Sequence, residues 1–541
     1  MTIKIRSYWL VLWLAIALTV AYNGSLWHGL FETRSTMTGD DLLFLLSCAF
    51  FLTALFNLLL SIFAFKGIQK PLLIILILAS AAASFFMDSY GIFIDSDMIQ
   101  NVLQTDHKEA FELFDLAFIG HMLLWGIGPA WLIYKMQIQY ATPIRQSLIN
   151  LASGLLSLLV IALIAAFFYQ DYASTFRNHR EFRYLINPTN YLYAVQKVIR
   201  NQFKQDSASI IPITAQVSLG QIATQKQRRT ITIFVVGETA RAQQFHLNGY
   251  SRQTTPLLEQ DNIISFKQAT SCGTATATSL PCMFSRFSRK DYDNDKGHQY
   301  ENLLDVIKAS GISVLWRDNN SGCKGVCNRV PHEDVSHLDI PKLCNKQECF
   351  DEVLLHQLDR IIHTTDRDMF IVLHQKGSHG PAYYRRVPER FRTFVPVCQT
   401  SELQKCTRQE IVNAYDNTIF YTDYVLDKVI KLLQSYPALN TAMLYMSDHG
   451  ESLGEKNMYL HGAPYFIAPD EQTHVPLILW VSDNMLSDYK LDRHCIENQV
   501  NSPVSHDNLF HSFLGLLNIL SPDNYQSKLD IFATCRIASQ K

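Results

Sequence analysis

Apolar residues run almost unbroken through the first third of the chain, then give way to short apolar runs separated by polar segments. A helix needs about 20 apolar residues to cross a hydrocarbon core. Five stretches qualify, Ser7–Phe31, Leu42–Phe65, Pro71–Met87, Leu116–Tyr134 and Gln146–Gln170, and they predict a five-helix transmembrane domain over residues 1–171. Lys4 and Arg6 ahead of the first stretch also suit a signal peptide, but further spans directly behind it favour a retained anchor. His121 is the main ionisable group within a span. A lone histidine there is expected to hydrogen-bond to a neighbouring helix, whereas a transport path needs several such groups.

Basic residues set the orientation. Lys4, Arg6, Lys66, Lys70, Lys135 and Arg145 fall on one side of the spans. The opposite loops carry Asp88, Asp95, Asp97, Asp106, Glu109, Glu112 and Asp115 with only Arg34 and Lys108. The basic side faces the cytoplasm, so five spans carry everything beyond Asp171 out of it. Residues 172–228 then interleave Phe176, Phe182, Leu185, Tyr191, Tyr193 and Val198 with Arg177, Arg180, Arg183, Lys197 and Arg200. That pattern fits an amphipathic bridging linker at the headgroup level, or equally a solvated helical connector; Asn187-Pro188 interrupts it.

From residue 229 to 541 the period changes. Ile231–Val236 is a β-branched run ending at Gly237, and comparable runs occur at Ile312–Leu315, Met369–Leu373, Ala442–Met446 and Val475–Val481. Helical patterns lie between them at Glu301–Ala309, Glu352–Ile362 and Glu410–Leu433. Alternation at this spacing predicts an α/β domain with a doubly wound, largely parallel sheet. Ligands in such sheets collect beyond the carboxyl ends of the strands.

Composition narrows the partners. Lys+Arg 47 against Asp+Glu 49 leaves a net charge of −2, with no bulk basic surface for nucleic acid. Of 11 cysteines, Cys48 stands alone among the spans. The others group as Cys272/Cys282, Cys323/Cys327, Cys344/Cys349 and Cys398/Cys406, leaving Cys495 and Cys535. In a reducing compartment Cys323-x-x-x-Cys327 would suggest zinc. The topology instead puts all of them in an oxidising space, where disulfides persist and neighbour pairing is the simplest connectivity.

The candidate chemistry sits just after the strands. Asp448 and His449 offer a carboxylate oxygen and an imidazole nitrogen at one strand end, and Glu238 a further carboxylate at another. Mixed Asp, His and Glu donors suit zinc, and by ligand type manganese as well. The small-residue loop Cys272-Gly-Thr-Ala-Thr276-Ala-Thr-Ser-Leu-Pro-Cys282 brings a hydroxyl that a bulky phosphate can approach. Coordinated hydroxyls lose several pKa units, which makes Thr276 a candidate nucleophile toward phosphorus. His374 opens the run Leu-His-Gln-Lys-Gly-Ser-His379-Gly-Pro, and its role is open between supporting the site and filling the core.

The order of these motifs resembles the alkaline phosphatase/sulfatase superfamily and, within it, the lipid A phosphoethanolamine transferases that confer colistin resistance. The matching runs are Val236-Gly-Glu-Thr-Ala-Arg241, Ser271–Ala277, Trp316-Arg-Asp-Asn-Asn320, Gly322-Cys-Lys-Gly-Val-Cys327, Ser378-His-Gly-Pro381 and Leu444–Gly454. The resemblance implies Thr276 as nucleophile and zinc held by Glu238, Thr276, Asp448 and His449. It implies that His379 and His461 bind substrate phosphate or a further zinc, and that Lys324 contacts phosphate. Asn101, Thr105 and Glu109, between the third and fourth spans, match polar positions that reach the lipid headgroup; Glu109 suits the ethanolamine ammonium.

The implied protein is a monomeric enzyme of the bacterial inner membrane with its catalytic domain in the periplasm. It moves phosphoethanolamine from phosphatidylethanolamine to a phosphate of lipid A through a phosphothreonine-type intermediate. Rival expectations are a related phosphoglycerol or glycan-directed transferase, and a non-catalytic membrane sensor with a disulfide-rich outer domain.

Overall fold

The computed structural model describes residues 3–34, 38–104, 113–205, 210–345 and 348–537. It divides into two compact units, Met1–Ile99 with Phe114–Lys197, and Gln100–Leu113 with Val198–Lys541.

The first unit is helical: α1 Ser7–Ala21, α2 Gly24–Glu32, α3 Gly39–Ile62, α4 Gln69–Tyr90, α5 Leu116–Lys135 and α6 Pro143–Asn178. Four of these are long and apolar enough to cross a membrane, and α1 with α2 makes a further, bent candidate. The stretch expected as one span over Ser7–Phe31 is therefore broken, by 53°. Asn23 explains the break. Its fully buried amide donates to Leu18 O (2.8 Å) and to Asn187 O (2.7 Å), while its Oδ1 accepts from Asn187 N at 2.9 Å. Asn187 returns the favour to the interrupted backbone, donating to Tyr22 O and Ser80 O. Backbone groups released from a helix in an apolar surrounding need such partners.

Other helix irregularities are satisfied locally. Within α5 a π turn spans Met122–Ile127 ahead of Pro129, which brings no N–H to the ladder; Tyr22 donates to Trp125 O at 2.5 Å. Asp115 caps α5 through Phe118 N (2.7 Å), and Thr38 with Asp41 forms a capping box on α3. Asn57 of α3 donates to Ser153 and Ser157 of α6, both at 2.9 Å, beside the small residue Gly154. His121 hydrogen-bonds to Ser84 of α4 at 3.2 Å, as expected of an isolated histidine.

In the second unit the strands β1 Thr230–Gly237, β2 Ile264–Phe266, β3 Ser313–Asp318, β4 His332–Asp334, β5 Met369–His374, β6 Asn440–Ser447 and β7 Leu477–Val481 form one sheet. Its order is β2-β7-β6-β1-β5-β3-β4. Only β7 runs against the others, pairing antiparallel with both β6 and β2. Along β1, Phe234 and Val236 enter a core shared with Phe510 and Phe513 of helix Asp507–Leu516, while Ile233 and Val235 are buried on the opposite face. A sheet covered on both sides needs continuous apolar strands rather than alternation, which is why these runs are legible in the sequence.

The expected helix Glu352–Ile362 is two pieces, a 3-10 turn Asp351–Leu355 and a helix Leu358–His363, broken at Gln357 with φ 56°. Arg317 is the reason: its guanidinium takes Leu354 O (2.7 Å) and His356 O (2.9 Å), carbonyls that a continuous helix would use itself. Strands β2 and β4, three residues each and one of them wholly exposed, carry no pattern that a sequence reading detects. Disulfides join Cys272–Cys282, Cys323–Cys327, Cys344–Cys349, Cys398–Cys406 and Cys495–Cys535; Cys48 is free and buried.

Replacing Asn187 with Ala should leave Asn23 and the carbonyls at the α1–α2 break unsatisfied, at about 1–3 kcal/mol per buried group. A clearly lowered Tm of the detergent-solubilised protein is expected; an unchanged Tm would remove this network from the account of the break.

Candidate metal and nucleophile site

The sheet register brings the site together. Gly237 of β1 pairs with Ser447 of β6, so the residues that follow, Glu238 and Asp448, emerge side by side at the carboxyl edge. Asp448 N donates to Gly237 O at 2.9 Å, which carries the pairing one residue past the strand. Thr239 turns away with φ 52°, a left-handed conformation for a β-branched residue and the kind of local strain that collects at functional sites. Helices α7 Thr276–Met283 and α8 Arg408–Gln434 flank the site, and Tyr415 of α8 braces this turn: its hydroxyl donates to Thr239 O (2.6 Å) and accepts from Arg241 N (2.9 Å). Gly377 leaves room on the β5 side, since a Cβ there would come within 2.6 Å of Glu238 O.

Thr276 opens helix α7, where the backbone dipole favours an approaching anion. Its loop is anchored at both ends. The Cys272–Cys282 disulfide closes it, and Ser279 donates its hydroxyl to Asp448 O. His506 accepts from Cys272 N at 3.0 Å and donates to Ser447 O at 2.9 Å, tying the nucleophile loop to the strand end that bears Asp448.

The result is a closed group of donors. Glu238, Asp448 and His449 are fully buried, and their ligand atoms lie within 4.8 Å of one another. The Thr276 hydroxyl lies 3.1 and 3.3 Å from the two Glu238 oxygens and 3.3 Å from His449 Nε2. His449 donates through Nδ1 to Gly450 O (2.9 Å), so the lone pair of Nε2 points toward the carboxylates. Asp448 Oδ1 accepts from His449 N (2.8 Å), while Oδ2 has no hydrogen-bond partner among the described residues.

These groups fit a divalent cation. Burial and the neighbouring Asp448 charge push the Glu238 carboxyl up, and burial pushes Asp448 up to about 6. Burial and His461 push His449 down to about 4, so the imidazole brings no positive charge. Two buried carboxylates and an imidazole lone pair are a donor set that suits zinc.

Beside it lies a second group. The ring of His461 is 4.4 Å from that of His449 and 5.5 Å from that of His379. His461 Nδ1 and Tyr383 Oη bind the two oxygens of buried Glu451, at 2.7 and 2.6 Å, and burial pushes Glu451 up to about 7. Lys324 sits at φ 48° in the Cys323–Cys327 loop, donating to Ser321 O and Gln104 O, both at 3.0 Å. Asn101 belongs to helix Ser96–Gln104 and is half-buried, and its neighbour Gln100 accepts from Asn294 at 3.0 Å. Thr105 and Glu109 lie outside the described residues. Glu451, Tyr383 and His506 escape a sequence reading. Glu451 stands in the conspicuous Asp-His-Gly-Glu run, but nothing in the sequence pairs it with His461, Tyr383 with it, or His506 with residue 272.

Residues 230–519 match the family described as sulfatase, and residues 52–203 the family described as phosphoethanolamine transferase EptA/EptB. Phosphoethanolamine transferase EptA of Escherichia coli (strain K12) is 40% identical over 544 residues, covering 99% of both chains. The chain belongs to the EptA/EptB phosphoethanolamine transferase family. Phosphatidylethanolamine transferase Mcr-1 of Escherichia coli is 38% identical over 88% of this chain and 90% of its own. The solved integral membrane protein lipooligosaccharide phosphoethanolamine transferase A (EptA) from Neisseria meningitidis matches with a TM-score of 0.96 and 37% identity, over 99% of this chain and 100% of that one. This transferase thus joins apolar spanning helices to a sulfatase-like α/β unit, as its motif order implies.

The clamp at the nucleophile loop is pH-sensitive. Burial pushes His506 down to about 3 from an ordinary 6.5, so the folded state keeps it neutral while the unfolded chain takes up a proton below 6.5. Stability from this group is complete above pH 6.5 and falls as pH drops toward 3, by up to about 1.4 kcal/mol per pH unit. Between pH 7.5 and 5 the His506→Gln variant should therefore lose about 2 kcal/mol less stability than the parent, measured by denaturant unfolding; equal losses would refute the assignment.

Proposed function

We propose that this transferase moves phosphoethanolamine from phosphatidylethanolamine to a phosphate of lipid A by two displacements at Thr276, in the outer leaflet of the bacterial inner membrane. The observation that carries the reading is the Thr276 hydroxyl set 3.1–3.3 Å from Glu238 and His449, two of three buried donors grouped closely enough to hold a cation. Family membership supports the transferred group, the relative named a lipooligosaccharide transferase supports the acceptor, and the relative named a phosphatidylethanolamine transferase supports the donor. The distribution of basic residues around the apolar helices supports a periplasmic catalytic unit, and its disulfides suit that compartment.

Glu238, Asp448, His449 and Thr276 are the residues that would hold zinc. When bound, zinc acidifies a ligated hydroxyl and offsets charge that develops on phosphoryl oxygens. Thr276 gives up its proton to water to become the nucleophile and attacks the donor phosphorus; the bond from phosphorus to the diacylglycerol oxygen breaks. His379 or His461 supplies the proton that this leaving alkoxide takes. An anionic phosphate oxygen of lipid A then attacks the phosphothreonine, and Thr276 leaves with the electron pair and recovers a proton. Two half-reactions at one side chain replace one direct transfer between two lipids. Lys324, His379 and His461 bind phosphate oxygens, while Asn101, Thr105 and Glu109 receive the headgroup, the Glu109 carboxylate being the charge that suits the ethanolamine ammonium. The protein works as a monomer. Adding an ammonium lowers the negative charge of lipid A and so weakens attraction of polymyxins to the surface.

Lipid A mass spectra from cells with and without the protein test this directly. A phosphoethanolamine increment is expected with the parent and absent with Thr276→Ala, a loss of at least about 100-fold in transfer. Exhaustive chelation of the purified protein should abolish transfer, and added zinc should restore it. A phosphoglycerol or glycan adduct instead, or full activity after chelation, would overturn the reading.

A further inference from the structure

The run Trp316-Arg-Asp-Asn-Asn320 at the end of β3 has no part in the reaction above, yet its side chains converge on one of the proposed zinc ligands. Asn320 is buried, and its Nδ2 lies 2.6 Å from Glu238 Oε2 and 3.0 Å from Gln375 O. Its Oδ1 accepts from Ser321 N at 2.8 Å. That pattern fixes the amide orientation, because a flipped group would press a carbonyl oxygen against the Glu238 carboxylate. The bonded oxygen Oε2 is also the one 3.1 Å from Thr276 Oγ1. Oε1 is left facing His449 Nε2 at 3.4 Å.

Asn320 is itself held by a saturated carboxylate. Asp318 Oδ1 accepts from Asn320 N (2.8 Å) and Gly322 N (3.4 Å). Its Oδ2 accepts from Trp316 Nε1 (2.8 Å) and His374 Nδ1 (3.0 Å). His374 donates through Nδ1, and its Nε2 lies 3.3 Å from the Asn320 amide nitrogen. Trp316 and His374 are fully sealed from solvent, so these bonds have no water to replace them. Every partner of Asp318 is a donor, which an isosteric asparagine cannot satisfy without setting N–H against N–H.

We infer that Asn320 is the positioning residue of Glu238, aimed by Asp318 and His374 so that one carboxylate orientation is presented to both the cation and Thr276. The inference rests on reading Glu238 as a zinc ligand. A ligating carboxylate without such support is free to rotate, and loss of an outer partner typically weakens metal binding about 10- to 100-fold. His374 is thereby assigned: it acts on the site through Asn320 and Asp318.

The test is zinc affinity of the full-length protein in detergent, measured by competition with a chromogenic chelator, alongside melting of the chelator-treated proteins. Asn320→Ala should weaken zinc binding about 10- to 100-fold, and Glu238→Ala should remove it. Parent-like affinity in Asn320→Ala, with binding lost in Glu238→Ala, overturns the positioning role and leaves the ligand reading intact. Parent-like affinity in Glu238→Ala overturns both. Asp318→Asn should weaken binding in the parent and add nothing in the Asn320→Ala background; additive losses overturn the relay through Asn320. If Asn320→Ala melts early, the isosteric Asp318→Asn carries the test alone, and unchanged affinity there refutes the inference.

Discussion

Two carboxylates buried side by side set the terms for the rest of the α/β unit. Glu238 and Asp448 emerge from adjacent parallel strands at the same level because β1 and β6 pair in register up to Gly237 and Ser447. Bringing such charges out of water is costly unless they are paired or ligate a metal. Here the lone pair of His449 joins them, and Asp448 keeps one oxygen without a hydrogen-bond partner among the described residues. These donors form a set that suits a divalent cation, and the Thr276 hydroxyl lies within 3.3 Å of two of them.

Rigid surroundings keep that arrangement from collapsing. Tyr415 grips the backbone on both sides of the strained turn at Thr239. His506 and Ser279 fasten the nucleophile loop to the β6 end, and the Cys272–Cys282 bridge closes the same loop. On the β3 side, Asp318 gathers Trp316, His374 of β5 and the Asn320 backbone into one hydrogen-bond network. These are preorganising contacts: they hold donors in place before any substrate arrives, so that little reorganisation remains for the reaction itself. The helical unit meets a different demand. Where α1 breaks and where α5 carries a π turn and Pro129, side-chain amides and a tyrosine hydroxyl reach backbone carbonyls that the apolar setting leaves dry.

Much of this was legible from residue order. Apolar stretches of spanning length, continuous β-branched runs and the polar residues directly behind them reflect burial, and burial is written into side-chain type. The strands before Glu238 and Asp448 and the small-residue loop at Thr276 were legible for that reason. The bend at Tyr22–Asn23 was not, because it depends on an amide that returns from Asn187. Nor was the division of Glu352–Ile362, where a guanidinium from β3 intercepts the helix carbonyls, nor the reversed direction of β7, since an apolar run reads the same both ways.

Sequence alone therefore determined the two-part construction, the strand-end donors and the family motifs, all of which are local patterns of hydrophobicity and chemistry. Tertiary structure decided which nitrogen of His449 faces the carboxylates, which side chains brace them, and how Asn320, His506 and Glu451 enter the site. Those choices rest on contacts between residues far apart in the chain, and hydrogen-bond direction at such contacts follows from three-dimensional placement rather than from spacing along the sequence.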